Sequence, residues 1–213
     1  MRDNLGVLWE AMKNFWDELF LLMLMNVVTV LLSVPVLTFP PALAGLWNVA
    51  NRAARGRAIH WRDYWDGLRR YAWLAWRLAL LNLLVTLVLL TNLRFYTPGI
   101  APFDLHPTLS VWIRGVVLCL LFLWSLVQIY PLALLLEQED RRLRVALRNA
   151  GVLFVTNPLF TLAVGLLLLV AAVVSTVLIL PWFLVTPAFF AIVCNQVVLH
   201  LLKPHREPQA DRE

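Results

Sequence analysis

Long runs without a charged residue alternate with short clusters of arginine along this 213-residue chain, and the lengths of those runs set its architecture. A helix that crosses the hydrocarbon core of a bilayer needs about 20 mostly apolar residues. Residues 19–51 carry no Lys, Arg, Asp or Glu, and Pro35, Pro40 and Pro41 interrupt them. That length exceeds one span and falls short of two. It predicts a full helix over 19–38, a tight turn at Thr38-Phe39-Pro40-Pro41, and a shorter returning helix over 41–55. Residues 78–93 are charge-free and extend backwards through 71–76, with Arg77 free to snorkel to the headgroups, which predicts a span over 71–93. Charge-free residues 115–136 predict another over 111–136. Residues 149–202 are again free of Lys, Arg, Asp and Glu and are far too long for one helix. Pro181-Trp182 near the middle supplies a turn between helices over 155–180 and 182–202.

The pattern therefore predicts an all-α fold, a polytopic transmembrane helix bundle of six helices arranged as three hairpins, in a single domain over 1–213. Residues 1–18 form an amphipathic lead-in on the cytoplasmic side, and 203–213 a cytoplasmic tail. The alternative has five spans, with residues 42–54 forming one interfacial helix. Cytoplasmic loops concentrate Lys and Arg. With six spans the inside holds Arg2 and Lys13, the cluster from Arg52 to Arg77, the cluster Arg141, Arg142, Arg144 and Arg148, and Lys203, Arg206 and Arg212, leaving only Arg94 and Arg114 outside. Both termini are then cytoplasmic. Five spans place Arg2 and Lys13 outside and weaken the asymmetry.

An internal repeat points the same way. A shift of 56 residues lays Trp9-Glu10-Ala11-Met12-Lys13-Asn14-Phe15 over Trp65-Asp66-Gly67-Leu68-Arg69-Arg70-Tyr71 and Asn26 over Asn82, with a fainter echo at Ala146-Leu147-Arg148-Asn149. Such segments sit at the headgroup boundary and fix the depth at which a helix enters. The competing reading is that any helix flanked on the inside begins with aromatic and basic residues.

Composition narrows the function classes. At 61% hydrophobic residues, with ten Trp and a mean hydropathy of +0.75, a soluble chain of this length would expose large apolar patches. The net charge of +5 is spread over loop clusters rather than one nucleic-acid-binding face. Cys119 and Cys194 lie within apolar runs and read as small buried hydrophobes, with no disulfide or metal spacing. His60, His106, His200 and His205 are scattered. No phosphate loop, nucleophile elbow or paired carboxylates appear, so neither an enzyme nor a metal or cofactor site is expected. Charges precede the first apolar run and no small-residue cleavage site follows it, so that run reads as a retained span.

The candidate intramembrane polar residues are Asn26, Asn82, Gln128, Asn195 and Gln196, with Thr29, Thr86 and Ser125. They either tie helices together, at about 0.6 to 2 kcal/mol each, or line a polar path. Pro35, Thr38, Pro40 and Pro41 form a candidate helix break: a hairpin turn near the outer face, or a binding feature whose freed carbonyls need a partner. The returning helix carries Ala42, Ala44, Gly45, Ala50 and Ala54, which allow close packing. Glu137, Glu139 and Asp140, ahead of a run of arginines, read as a solvated mixed-charge loop. Arg62, Arg69, Arg70, Arg141, Arg142 and Arg144 form a candidate cytoplasmic partner surface.

The stretch Ser33-Val34-Pro35-Val36-Leu37-Thr38-Phe39-Pro40-Pro41-Ala42-Leu43-Ala44-Gly45-Leu46-Trp47, then Arg55-Gly56, then Trp61-Arg62-Asp63-Tyr64-Trp65-Asp66-Gly67-Leu68-Arg69-Arg70, resembles the YesL-like family of bacterial integral membrane proteins. The resemblance spans most of the chain and is motif-rich over the first 95 or so residues; Phe39 stands where the family often has a small residue. It implies a multi-pass protein of the bacterial cytoplasmic (inner) membrane, surrounded by the lipid bilayer and encoded near carbohydrate uptake and utilisation. The expected function is an accessory component associated with a sugar-uptake transporter subunit. The alternative is a small transporter or channel with a polar path near the proline-broken first hairpin.

Overall fold

The computed structural model describes residues 19–97, 106–138 and 141–210. The lead-in over 1–18, and with it the first copy of the repeat, lies outside them, as do Glu139 and Asp140. Among the described residues the chain forms nine helices and no strand: α1 Leu19–Ser33, α2 Phe39–Ala54, α3 Trp61–Phe95, α4 Pro107–Val127, α5 Pro131–Glu137, α6 Leu143–Thr156, α7 Pro158–Leu178, α8 Leu180–Leu184 and α9 Thr186–Ala210. Four stretches are long and apolar enough to cross a membrane: α3, α4 with α5 over Pro107–Glu137, α7, and α9 over Thr186–Lys203.

Proline sets most boundaries. The helix expected over 19–38 ends at Ser33, because Pro35 disfavours helical geometry at the residue before it and cannot donate to the ladder. The Thr38 hydroxyl donates to Leu32 O and, at 2.9 Å, to Pro35 O, so carbonyls released by the break are bonded within the turn. α2 then starts at Phe39 with Pro40 and Pro41 in its first turn, where missing N–H groups cost nothing. The span expected over 111–136 is two helices, because Pro131 cannot bond back to Val127 and Gln128 to Tyr130 tighten into a turn. Pro158 separates α6 from α7 in the same way within the region expected as 155–180. The turn expected at Pro181-Trp182 is the short α8, entered through Ile179 at φ 61°. α9 continues past the expected 202 into the tail, to Ala210.

The largest departure is α3. It begins at Trp61 rather than residue 71, since His60 N–H donates to Asp63 Oδ2 at 2.8 Å and starts the helix on the amphipathic segment. The amphipathic segment from Trp61 and the span that follows are one rod of about 52 Å at 1.5 Å per residue.

α2 packs antiparallel along only the first half of that rod. A Cβ added at Gly45 would lie 2.9 Å from Tyr64 O and 3.3 Å from Leu68 Cβ, and one at Gly67 would lie 2.5 Å from Asn48 Cβ. Trp76 Nε1 donates to Leu37 O at 3.1 Å. The backbone of α2 can approach this closely because both contact points are glycines. Residues 61–76 therefore carry the α1–α2 hairpin, and residues 77–95 run on beyond its tip.

α2 is buried almost all round, through Ala42, Ala44, Leu46, Val49, Ala50 and Ala53, whereas α1 buries one stripe of Leu22, Met25, Asn26 and Thr29. α3, α4 and α7 each expose a series of large apolar side chains, among them Leu83, Leu87, Val116, Leu120, Leu166 and Val173. Cys119 is exposed on α4 rather than buried, while Cys194 is enclosed in α9.

Candidate functional site

Three polar constellations emerge, and they divide the sequence candidates by role. The first ties α1 to the break between α7 and α9. Asn26, fully buried, donates to Phe183 O at 2.9 Å and to Trp182 O at 3.4 Å, and accepts from Ala188 N–H at 3.0 Å. These are the backbone groups that α8 and the start of α9 leave without helical partners, so Asn26 seals an irregular segment. One turn on, Thr29 donates to Tyr64 Oη at 3.0 Å and links α1 to α3.

The second is a clasp joining α2, α5 and α9. Asn195 donates to Ala191 O at 2.7 Å and Trp47 O at 3.3 Å, and its Oδ1 accepts from Asn51 at 3.1 Å. Asn51 also donates to Glu137 Oε1 at 2.7 Å, and Arg55 Nη2 reaches the same oxygen at 2.6 Å. The Glu137 side chain is 2% exposed. This corrects the solvated-loop expectation for Glu137: the residue closes α5 against the end of α2, and a buried carboxylate requires a charged, hydrogen-bonded partner. Gln196, beside Asn195, is buried in α9.

The third lies around Asn82 and Gln128, which are not tied off. The amide oxygen of Asn82 and the amide nitrogen of Gln128 are both shielded from solvent and have no hydrogen-bond partner within the protein. Other atoms of both residues line a cleft of about 520 Å³ between α2, the middle of α3 and the α4–α5 junction, from which the two unpartnered atoms themselves are shielded. Its walls include Phe39, Leu43, Trp47, Trp76, Leu83 and Leu132; Thr86 is the other polar residue, and none of the lining residues is charged. Pro40 and Val36 form its edge at the tip of the first hairpin. A smaller cleft of about 340 Å³ lies on the other side of the tip, between Thr29, Ser33, Phe39, Trp182 and Phe190.

The expected arginine surface is partly assembled. Arg70 and Arg141 approach the Tyr71 ring at 6.0 and 5.1 Å, which brings the α3 and α6 clusters together. Arg62, Arg69, Arg142 and Arg144 are exposed, with Arg62 two turns along α3 from the rest. Among the described residues no group of three or more His, Cys, Asp or Glu is placed to hold a metal ion. Ser125 donates to Leu121 O on its own helix.

The signal that separates these constellations is not visible in the residue types. Asn26 and Asn82 coincide under the 56-residue shift, yet one is saturated by the α8 break and the other keeps an amide oxygen without a partner. Comparison with protein-family models, curated proteins and solved structures returned no match.

Proposed function

We infer that the chain is a non-enzymatic accessory component of a membrane system, and that its exposed arginine face, around Arg62, Arg69, Arg70, Arg142 and Arg144, is where a partner docks. The observation that supports this most is the fate of the buried polar groups. Asn26, Thr29, Asn51 and Asn195 each hydrogen-bond a neighbouring element, which leaves them as ties rather than as a hydrophilic route for a sugar or an ion. The YesL-like sequence pattern directs the partner search to carbohydrate-uptake systems and the setting to a bacterial cytoplasmic membrane. A tagged copy at native level should co-purify with a transporter subunit, and Arg69→Ala with Arg70→Ala should reduce recovery. Recovery of no subunit refutes the reading.

A transporter or channel remains a second reading on one observation, the orphaned amides of Asn82 and Gln128 in a cleft beside the proline break. Flux into liposomes holding only this protein decides it.

The topology that accompanies the leading reading has four crossings, by α3, α4–α5, α7 and α9, with the α1–α2 hairpin entering and leaving on the cytoplasmic side. α1 and α2 span about 22 and 24 Å at 1.5 Å per residue, short of a hydrocarbon core of about 30 Å. α2 lies beside the charged half of α3, and the turn exposes Val34, Val36 and Leu37, more than 70% each, a tip suited to lipid rather than water. Four crossings keep the basic clusters and both termini inside, as six do. Val36→Cys, in a background lacking Cys119 and Cys194, should stay unlabelled by an impermeant thiol reagent on intact cells. Labelling from outside restores six crossings.

A further inference from the structure

The arginine face is not at one depth, and we propose that its membrane-proximal rung, Arg69, Arg70, Arg141 and Arg148, binds the headgroups of anionic phospholipids in the surrounding leaflet. The proposal deepens the reading of that face and rests on its membrane placement: lipid holds the inner rung, and Arg62 stands clear of it for a protein partner.

Depth is set by α3. Arg62, Arg69, Trp73, Leu80 and Leu87 are all exposed and share one helix face. That face changes from charged to apolar at Trp73, which is 73% exposed, and Trp is enriched where hydrocarbon meets headgroups. From Trp73 to Phe95, the last residue of α3, the helix rises about 33 Å. At the usual tilt of about 20° that covers about 31 Å, which matches a hydrocarbon core of about 30 Å. Arg69 and Arg70 then lie about 6 and 4.5 Å outside the core, within a headgroup layer about 5 to 8 Å thick. Arg62 lies about 10 Å beyond Arg69, in water.

α6 makes the same change. Arg144, Arg148, Val152 and Val155 lie along a single exposed face of that helix, and Val152 and Val155 are 54% and 74% exposed. Arg148 precedes Val152 by about 6 Å, the offset that separates Arg69 from Trp73. The two segments meet at this level, because Arg70 and Arg141 both stand over the Tyr71 ring, at 6.0 and 5.1 Å.

Charge selects the lipid. Residues 61–77 and 139–148 hold eight Arg against four carboxylates, and one of the four, Asp63, is paired with Arg52 at 3.1 Å. Among the described residues no carboxylate forms an ion pair with Arg69, Arg70 or Arg148. A phosphate accepts two N–H bonds from one guanidinium fork. A zwitterionic headgroup would bring an ammonium into a cluster already in positive excess, so the anionic headgroup is the complementary one.

The test uses the full chain without Cys119 and Cys194, carrying a bimane fluorophore on Val152→Cys, in nanodiscs with the same lipid mixture in both leaflets. Phosphatidylglycerol or phosphatidylcholine bearing a doxyl quencher near the top of one acyl chain is titrated in. Phosphatidylglycerol should associate at least about fivefold better than phosphatidylcholine, the effect of one arginine at an anionic surface. The preference should vanish in 1 M salt, where the Debye length falls to about 3 Å, and should be absent with the fluorophore on Val173→Cys, near the far end of α7. Arg70→Gln and Arg148→Gln should each lower it by about twofold or more. Arg62→Gln removes the same charge from further out than the Debye length of about 8 Å at physiological ionic strength, and should leave it unchanged. Equal quenching by the two lipids on the native protein, or a preference that survives 1 M salt, overturns the proposal even if a variant fails to fold. So does an equal preference at Val173→Cys, or an Arg62→Gln effect as large as that of Arg70→Gln. No transporter is present in the nanodiscs and both leaflets are alike, so failure here leaves partner docking and the number of crossings to their own tests.

Discussion

Replacing Arg55 by Met removes the cation from the clasp that joins α2, α5 and α9, and the geometry fixes the size of the effect. The Glu137 carboxylate is 2% exposed and Arg55 is 28% exposed. Deleting one partner of a buried ion pair costs about 3 to 5 kcal/mol, because the other charge stays buried without compensation. Here Asn51 Nδ2 still donates to Glu137 Oε1 at 2.7 Å, so the lower end, about 3 kcal/mol, is expected. Glu137→Leu acts differently. It removes the buried charge itself and leaves Arg55 close enough to solvent to rehydrate, so its cost is about 1 kcal/mol, set by the hydrogen bonds lost from Asn51 and Arg55. The double variant should cost about as much as Glu137→Leu alone, a coupling of about 3 kcal/mol. The assay is reversible unfolding of purified protein in mixed micelles titrated with SDS, followed by far-ultraviolet circular dichroism. If Arg55→Met costs no more than Glu137→Leu, and the two effects add within about 0.5 kcal/mol, the carboxylate is solvated and the clasp is not a buried pair.

Gly67→Ala places a Cβ 2.5 Å from Asn48 Cβ and should destabilise the same unfolding transition by about 1 to 3 kcal/mol. Gly115→Ala, where nothing lies within 4 Å, should be neutral or stabilise by up to about 1 kcal/mol through helix propensity. Asn26→Leu strands Phe183 O and Ala188 N–H and should cost about 1 to 3 kcal/mol, with hydrogen exchange rising at residues 182–188 while α3 stays protected. Tyr64→Phe loses only the Thr29 bond and should cost about 0.5 to 1.5 kcal/mol.

Two of the helix breaks were legible in the sequence where a long charge-free run met a proline, whereas those at Pro131 and Pro158, in the runs 115–136 and 149–202, were read through. Residues 19–51 announced a break at Pro35 to Pro41, and residues 149–202 announced one at Pro181; the structure breaks at both. The length of α3 was not legible, since charge clusters mark where a helix leaves the hydrocarbon and not where it ends. Residues 61–70 continue the same backbone ladder through the charged segment. Glu137 misled for a related reason. Beside Glu139, Asp140 and four arginines it has the composition of a loop, and only the close approach of Asn51 and Arg55, some eighty residues earlier, shows that it is enclosed. Among the intramembrane candidates, residue type could not divide Asn26 and Asn195, which are saturated ties, from Asn82 and Gln128, which each keep an atom without a partner.

That division follows from the shape of the first hairpin. Pro35 ends α1 early and Pro40 and Pro41 restart the chain within a few residues, so the hairpin is short. Glycines at 45 and 67 lock it against the charged half of α3, which fixes how far the tip reaches. Trp76 holds Leu37 at that limit. Beyond it α3 has lost its companion, and the next cover comes from the α4–α5 junction, where Pro131 turns the chain and leaves Gln128 at a helix end rather than inside a ladder. Asn82 and Gln128 line the same cleft, which two proline breaks leave unfilled. A longer α2 would fill the space with side chains; the truncated one leaves Asn82, Gln128 and Thr86 beside an otherwise largely apolar cleft.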